Sequence, residues 1–194
     1  MDLLVKNRKK PPAKGCALLI IDMLNDYLTP EGAVYCAECR VIIPHIAAAA
    51  TFVRENGGSV FYVNTQLRKT DILAKKWGLH AVKGTKGARV VDELSPEKQD
   101  LIVLKKSYDG FYETRLNTLL RSRGITTVLL SGIHTHVCVT MTGVGAFERG
   151  YSVVALEDCF TTGHRANHDS RLRFFGSHIG VIERSNDWIL SVSR

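Results

Sequence analysis

A chain of 194 residues with 45% hydrophobic and 23% charged residues has the composition of an ordinary globular protein, long enough to bury a core as one α/β domain. No apolar run approaches the ~20 residues that span a bilayer, and the N-terminus lacks a signal-peptide core, so neither membrane insertion nor secretion is expected and a cytoplasmic location is. The net charge of +7 is concentrated in residues 1–14, where Lys6, Arg8, Lys9, Lys10 and Lys14 face only Asp2; no finger-type Cys/His spacing or RNA-binding aromatic motif accompanies them, so no nucleic-acid partner is expected.

The chain divides into that basic arm, 1–14, and a single domain, 15–194. The first apolar run, CALLIID (16–22), reads as a strand ending on Asp22. An irregular connection, 23–43, follows and carries CAEC at 36–39. A helix is predicted over 44–56 and a strand at SVFYVN (59–64), before a second long connection, 65–99. Next come a strand at DLIVLKK (100–106), a helix over 113–123 and a strand at TTVLLSG (126–132). A helix over 137–149, a strand at YSVVALED (151–158), a helix over 165–176 and a strand at HIGVIE (178–183) complete the chain. The strands are apolar almost throughout, as parallel strands buried on both faces should be, and Gly57, Gly124 and Gly150 close three of the helices. The alternation predicts an α/β fold with a mostly parallel sheet of about six strands.

The five cysteines, Cys16, Cys36, Cys39, Cys138 and Cys159, are odd in number and irregularly spaced, which argues against a disulfide framework and for a reducing compartment. The CAEC pair lacks the second ligand pair of a zinc site and the βαβ setting of a thioredoxin-type motif, so it is read as structural.

Ligands of open parallel sheets bind beyond the carboxyl ends of the strands, so polar residues ending apolar runs are the candidates for chemistry. Asp22 ends the first strand, Lys105 the third, and Cys138 follows the fourth where a helix should begin. A helix N-terminus and a nearby lysine both lower a thiol pKa, and an aspartate can accept the thiol proton and return it to a leaving nitrogen. A buried cysteine beside an unrelated Lys–Asp ion pair is the competing interpretation. The stretch SGIHTHVCVTMTG (131–143) adds an ambiguity, since His134, His136 and Cys138 alternate as three metal ligands would.

Four stretches, LLIIDMLNDYL (18–28), HAVKGTKGARVVDEL (80–94), VLKKSYDGFYETRLNTLLRSRGI (103–125) and LLSGIHTHVCVTMTGVGAFERGYSVVALEDC (129–159), together resemble the isochorismatase-like cysteine hydrolases. The resemblance implies a three-layer α/β/α fold, commonly a homodimer or homotetramer, and an Asp–Lys–Cys triad falling on Asp22, Lys105 and Cys138. Lys105 rather than Lys106 matches the family spacing to the motif phenylalanine, Phe111. The family also often has a non-proline cis peptide before the cysteine, here Ile133–His134, which would supply the backbone N–H of His134, with that of Cys138, to an oxyanion. His134 then need not bind metal through its ring.

Within the family the chain is most similar to the N-carbamoylsarcosine amidase-like branch, with nicotinamidases next. The Asp-x-His metal motif of nicotinamidases is replaced by NTQLR (64–68), so His80 has no partner ligands, and neither metal nor cofactor is expected. Gly145 stands where many relatives have an acid, and Leu24 where glutamine is common. The resemblance implies a metal-independent amidohydrolase cleaving a C–N bond of a small amide, ureido or N-carbamoyl compound through a thioester; a nicotinamidase-type amidase and a non-catalytic binding protein on the same fold are the alternatives. Tyr27, Trp77, Tyr108 and Phe111 are candidate pocket walls, and Arg68 and Lys83 candidate carboxylate ligands.

Overall fold

A computed structural model describes residues 13–193, so all but the last two residues of the basic arm lie outside the described residues. Six strands form one parallel sheet: β1 (Cys16–Ile21), β2 (Ser59–Thr65), β3 (Leu101–Lys105), β4 (Thr127–Ile133), β5 (Ser152–Thr161) and β6 (Val181–Glu183). Their order across the sheet is β3-β2-β1-β4-β5-β6. β1 and β4 are buried at every position, which is why their sequences are apolar rather than alternating.

Successive side chains of a strand point to opposite faces, and β1 shows how two cores follow from this. Leu18 and Ile20 pack with Ile46, Ala50 and Val53 of a helix at Ile43–Glu55 and with Trp188 of a helix at Ser185–Val192. Leu19 and Ile21 pack instead with Leu116 and Leu120 of a helix at Leu116–Ser122, with Ala146 of a helix at Thr140–Glu148, and with Phe175. The result is the three-layer α/β/α arrangement. Counting shorter elements, the helices are α1 (Asn25–Leu28), α2 (Ile43–Glu55), α3 (Ile72–Trp77), α4 (Leu116–Ser122), α5 (Thr140–Glu148), α6 (Arg165–Phe174) and α7 (Ser185–Val192). Among the described residues no helix is long and apolar enough to cross a membrane.

Several boundaries differ from those expected. α4 begins at Leu116 because the preceding turn is closed by Thr114, whose hydroxyl donates to Gly110 O (2.6 Å) and accepts from Leu116 N–H (3.2 Å). β6 is only three residues long, since Phe175–Ile179 continues the preceding helix as a π-helical turn and buries Ile179 in the second core. α1, α3 and α7 have no counterpart among the predicted helices. They are short, at four, six and eight residues, too few turns to show a helical period.

The two long connections hold each other. Asn25 N–H donates to Arg89 O (2.9 Å), Asp26 N–H to Gly87 O (3.0 Å), and Val91 N–H to Met23 O (3.1 Å). Asp26 also accepts the Ala81 N–H at 2.7 Å, and Leu24 bridges to Val90. A Cβ on Gly87 would overlap the Asp26 carboxylate, so the glycine of the KGTKGA segment is required by this close approach. These contacts fix the walls above the carboxyl ends of β1 and β4, the adjacent strands from which the chain winds away in opposite directions. That switch point is where open α/β sheets bind ligands.

Candidate active site

The ends of β1, β3 and β4 each deliver one side chain to this point. Asp22 follows β1 in a left-handed conformation (φ 55°), uncommon for a non-glycine residue, which turns the chain out of the sheet at once. Its Oδ1 accepts the backbone N–H of Thr65, at the end of β2, at 2.6 Å. Lys105 ends β3 and reaches across β2. Its Nζ donates to Asp22 Oδ2 (2.7 Å), Thr65 Oγ1 (2.7 Å), Ser107 O (3.1 Å) and Cys138 Sγ (3.4 Å). Asp22 and Lys105 are each 1% exposed. A buried charge this close to an apolar sheet persists only when paired and hydrogen-bonded, and the ammonium is saturated by four acceptors.

The β4 end brings in the third group. Gly132 has φ 106°, and a Cβ there would collide with the Ile21 carbonyl, so only glycine lets β4 kink where its pairing with β5 shifts register. Beyond it the Ile133–His134 peptide is cis, and Thr135–Val139 forms a π-helical turn that continues into α5. Thr140 Oγ1 closes this turn on Thr135 O. Cys138 therefore sits inside a π turn rather than at the first turn of an α-helix, with its thiol over Lys105.

This placement alters the electrostatics expected of the cysteine. Burial pushes the Cys138 thiol up to about 12; Lys105 opposes that rise, but the Asp22 carboxylate adds to it. The nearby cation thus does not make a standing thiolate. For Lys105, burial alone would lower the pKa, but Asp22 and Cys138 outweigh it and hold the ammonium above its usual range. The resting ensemble is a thiol beside a lysinium–carboxylate pair.

Because a thiolate fraction rises about tenfold per pH unit below the pKa, alkylation of Cys138 by iodoacetamide should climb steadily from about pH 7 to about pH 9 without a plateau. Cys138 should still react ahead of the fully buried Cys16 and Cys159, as peptide mass spectrometry would show. A plateau near neutrality would mean that the thiolate is stabilised after all.

The group lies at the base of a cavity of about 510 Å³. Of the expected wall residues, Tyr27, Trp77 and Tyr108 line it, with the Trp77 indole N–H donating to Tyr108 Oη at 2.6 Å. Phe111 does not. It is 4% exposed in the second core, stacked on Tyr151, with the Arg149 guanidinium 4.9 Å from its ring centre. Arg68 and Lys83 are exposed and lie off the cavity, Arg68 being tied by its backbone N–H to Asp71. His80 and His136 line the cavity, as do Tyr35, Glu38, Thr162 and His164, which the sequence reading did not single out. Thr65 was missed as well, although it ends a strand as Asp22 does and the same argument would have found it. Gly145 packs under Asp109, whose carboxylate would lie 2.7 Å from an added Cβ, so a side chain at 145 would have to displace it.

His134, His136 and Cys138 do not gather as metal ligands. Among the described residues the donor group close enough to share a cation is Cys36, Cys39 and His134. Cys36 and Cys39 are themselves joined as a disulfide, although the count and spacing of the cysteines argued against a disulfide framework: they face each other across one 3-10 turn at Ala37–Ile42, a local proximity that the overall pattern did not reveal. Burial lowers the His134 imidazole to about 4, with His136 adding to the effect.

Comparison with known proteins gives the family and the fold. The model of the Isochorismatase domain matches residues 16–186. An isochorismatase-like hydrolase from Alkaliphilus metalliredigens superposes with a TM-score of 0.86 at 31% identity, covering 91% of this chain and 98% of that one. The N-carbamoylsarcosine amidase of Thermoplasma acidophilum gives 0.81 at 30% identity, over 88% and 96% of the two chains. The nicotinamidase PncA of Bacillus subtilis gives 0.83 at 27% identity, over 88% and 99%.

Proposed function

The chain belongs to the isochorismatase domain family, a family of hydrolases, and from that premise we propose that it is a cysteine-dependent amidohydrolase using Asp22, Lys105 and Cys138. The observation that carries this reading is the position of Lys105 Nζ, 2.7 Å from Asp22 Oδ2 and 3.4 Å from Cys138 Sγ, at the base of the cavity. In the proposed cycle Asp22 takes the thiol proton as Cys138 Sγ attacks the amide carbon, and Lys105 stabilises the charge left on sulfur. The backbone N–H groups of His134 and Cys138 hold the oxyanion. Asp22 then gives the proton to the leaving nitrogen, the C–N bond breaks, and ammonia or an amine departs. Water, deprotonated by Asp22, hydrolyses the thioester and regenerates the thiol. The high thiol pKa suits this order of events, because proton transfer accompanies attack rather than preceding it.

The walls narrow the substrate. Among the described residues lining the cavity, the carboxylates Asp22 and Glu38 are joined by no lysine or arginine, whereas Tyr27, Tyr35, Trp77 and Tyr108 supply flat apolar surface. Such a site favours an uncharged, planar amide over a substrate bearing a carboxylate, which would meet Glu38 without a counter-ion. The nicotinamidase-type alternative fits these walls, while likeness to an N-carbamoylsarcosine amidase favours carbamoyl compounds. An ammonia-release screen separates them. Nicotinamide and neutral aliphatic amides should exceed N-carbamoyl amino acids and ureidoacrylate in kcat/KM by about tenfold or more, roughly 1.4 kcal/mol of transition-state binding. Preference for the carboxylate-bearing compounds would refute the substrate reading, and no turnover across the panel would favour the non-catalytic alternative.

A further inference from the structure

The Cys36–Cys39 pair takes no part in the proposed chemistry, yet it stands on the cavity wall. Cys36, Glu38 and His134 all line the cavity, and Cys39 is fully buried behind them. Cys36 stands at the start of the 3-10 turn at Ala37–Ile42, and the Cys39 N–H donates to Cys36 O at 3.1 Å, so the backbone keeps the two cysteines adjacent, with Cα atoms 5.4 Å apart. A bridge over a sequence separation of three closes a very short loop, the kind that restrains an unfolded chain least, which makes a purely stabilising role a weak explanation.

A third donor completes the group. His134 Nδ1 lies 3.7 Å from Cys39 Sγ, and the three donor atoms fall within 4.8 Å of one another. Tetrahedral zinc with Zn–S of about 2.3 Å and Zn–N of about 2.0–2.1 Å places sulfur and nitrogen ligands roughly 3.6 Å apart. The His–Cys spacing already has that value. The His134 ring is also held from the other side, edge-on against Tyr27 at 6.0 Å between ring centres. A two-residue gap between cysteines is the usual zinc-ligand spacing, and the second element that the sequence alone did not supply comes from across the fold, 95 residues away.

We propose that, when the Cys36–Cys39 disulfide is reduced, Cys36 Sγ, Cys39 Sγ and His134 Nδ1 bind one zinc ion on the cavity wall. In the reductive step two molecules of a small thiol transfer two electrons and two protons. The S–S bond breaks, both cysteines become thiols, and the small thiols leave as their own disulfide. Zinc then displaces both cysteine protons to solvent. Cavity water or Glu38, whose Oε2 stands 3.8 Å from Cys36 Sγ, would supply the fourth ligand. Disulfide and metal are mutually exclusive occupants, so the same wall has an oxidised metal-free form and a reduced metal-binding form. The site excludes Cys138 and goes beyond the amidase reading.

The test uses the full chain carrying Cys138→Ser, so that the proposed nucleophile cannot act as a ligand and the outcome is independent of turnover. Reduced anaerobically with a phosphine, it should take up one equivalent of cobalt(II) with thiolate-to-cobalt charge-transfer absorption, and zinc should displace the cobalt. The same protein with the disulfide intact, verified by mass, should take up none. Cys36→Ser and His134→Gln should each weaken zinc binding by about 100-fold or more, since a direct ligand is worth at least as much as a supporting contact. Circular dichroism establishes that each variant is folded, and Cys36, at the cavity surface, is the substitution least disturbing to the core. Absence of the charge-transfer band in the reduced protein, equal uptake by the oxidised protein, or unchanged affinity in either variant would each overturn the site.

Discussion

Replacing Cys138 with serine is expected to lower kcat by about 10³-fold or more while leaving the fold intact. The change is nearly isosteric, and Cys138 is only half-buried, so no cavity opens in the core. The chemistry is what suffers. The hydroxyl is a far weaker acid than the thiol, and Asp22 is asked to take its proton with only the Lys105 contact at 3.4 Å to help. Burial already pushes the thiol itself up to about 12, and a hydroxyl in its place is harder still to ionise. His136→Ala provides the contrast. His136 lines the cavity, and the charged groups acting on it are His164 and Arg171 rather than Lys105 or Asp22, so its loss should cost tenfold or less, roughly the value of one substrate contact. Steady-state ammonia release from the best substrate of the screen measures both. A serine variant retaining more than about a tenth of wild-type turnover would remove Cys138 from the role of nucleophile.

The unequal legibility of this protein in its sequence has physical causes. Parallel strands buried on both faces leave an unmistakable apolar signature, so β1 and β4 were visible to within a residue; β3 and β6, at the sheet edges and partly exposed, were visible because their exposed positions are also largely apolar. The triad candidates were visible for the same reason, since a charge or thiol directly after such a run has to be accommodated. What stayed hidden depends on contacts distant in sequence. Phe111 and Tyr108 are three residues apart in one loop, yet one stacks in the core on Tyr151 and the other faces the cavity, because Gly110 packs against Thr142 and turns the chain between them. Arg68 follows a cavity residue by three positions but is drawn outward by the turn it makes with Asp71. The Cys39–His134 contact spans 95 residues, and no local pattern encodes it. The thiol pKa was misjudged because helix-terminus and lysine effects were weighed without the burial that opposes them.

Substituting the adjacent lysines is expected to give opposite results. Lys105→Ala should reduce kcat/KM by about 10²–10³-fold and also destabilise the fold, because breaking a buried ion pair leaves its partner unpaired, at a cost of about 3–5 kcal/mol. The partner is Asp22, which is 1% exposed and would keep the Thr65 N–H and the Cys138 thiol as donors but no cation. The loss of the ammonium also removes the one group that lowers the Cys138 thiol, so that thiol moves further from ionisation. Lys105→Met, which keeps most of the side-chain volume, separates these effects: it should restore part of the packing but none of the activity. Lys106 is exposed, since adjacent residues at a strand end face opposite sides, and Lys106→Ala should change stability by no more than about 0.5 kcal/mol and leave turnover nearly intact. Thermal denaturation and ammonia release on the four proteins decide the matter. If Lys106→Ala were inactive and Lys105→Ala active, the charge network joining Asp22 to Cys138 would have no part in catalysis, and the proposed mechanism would fall with it.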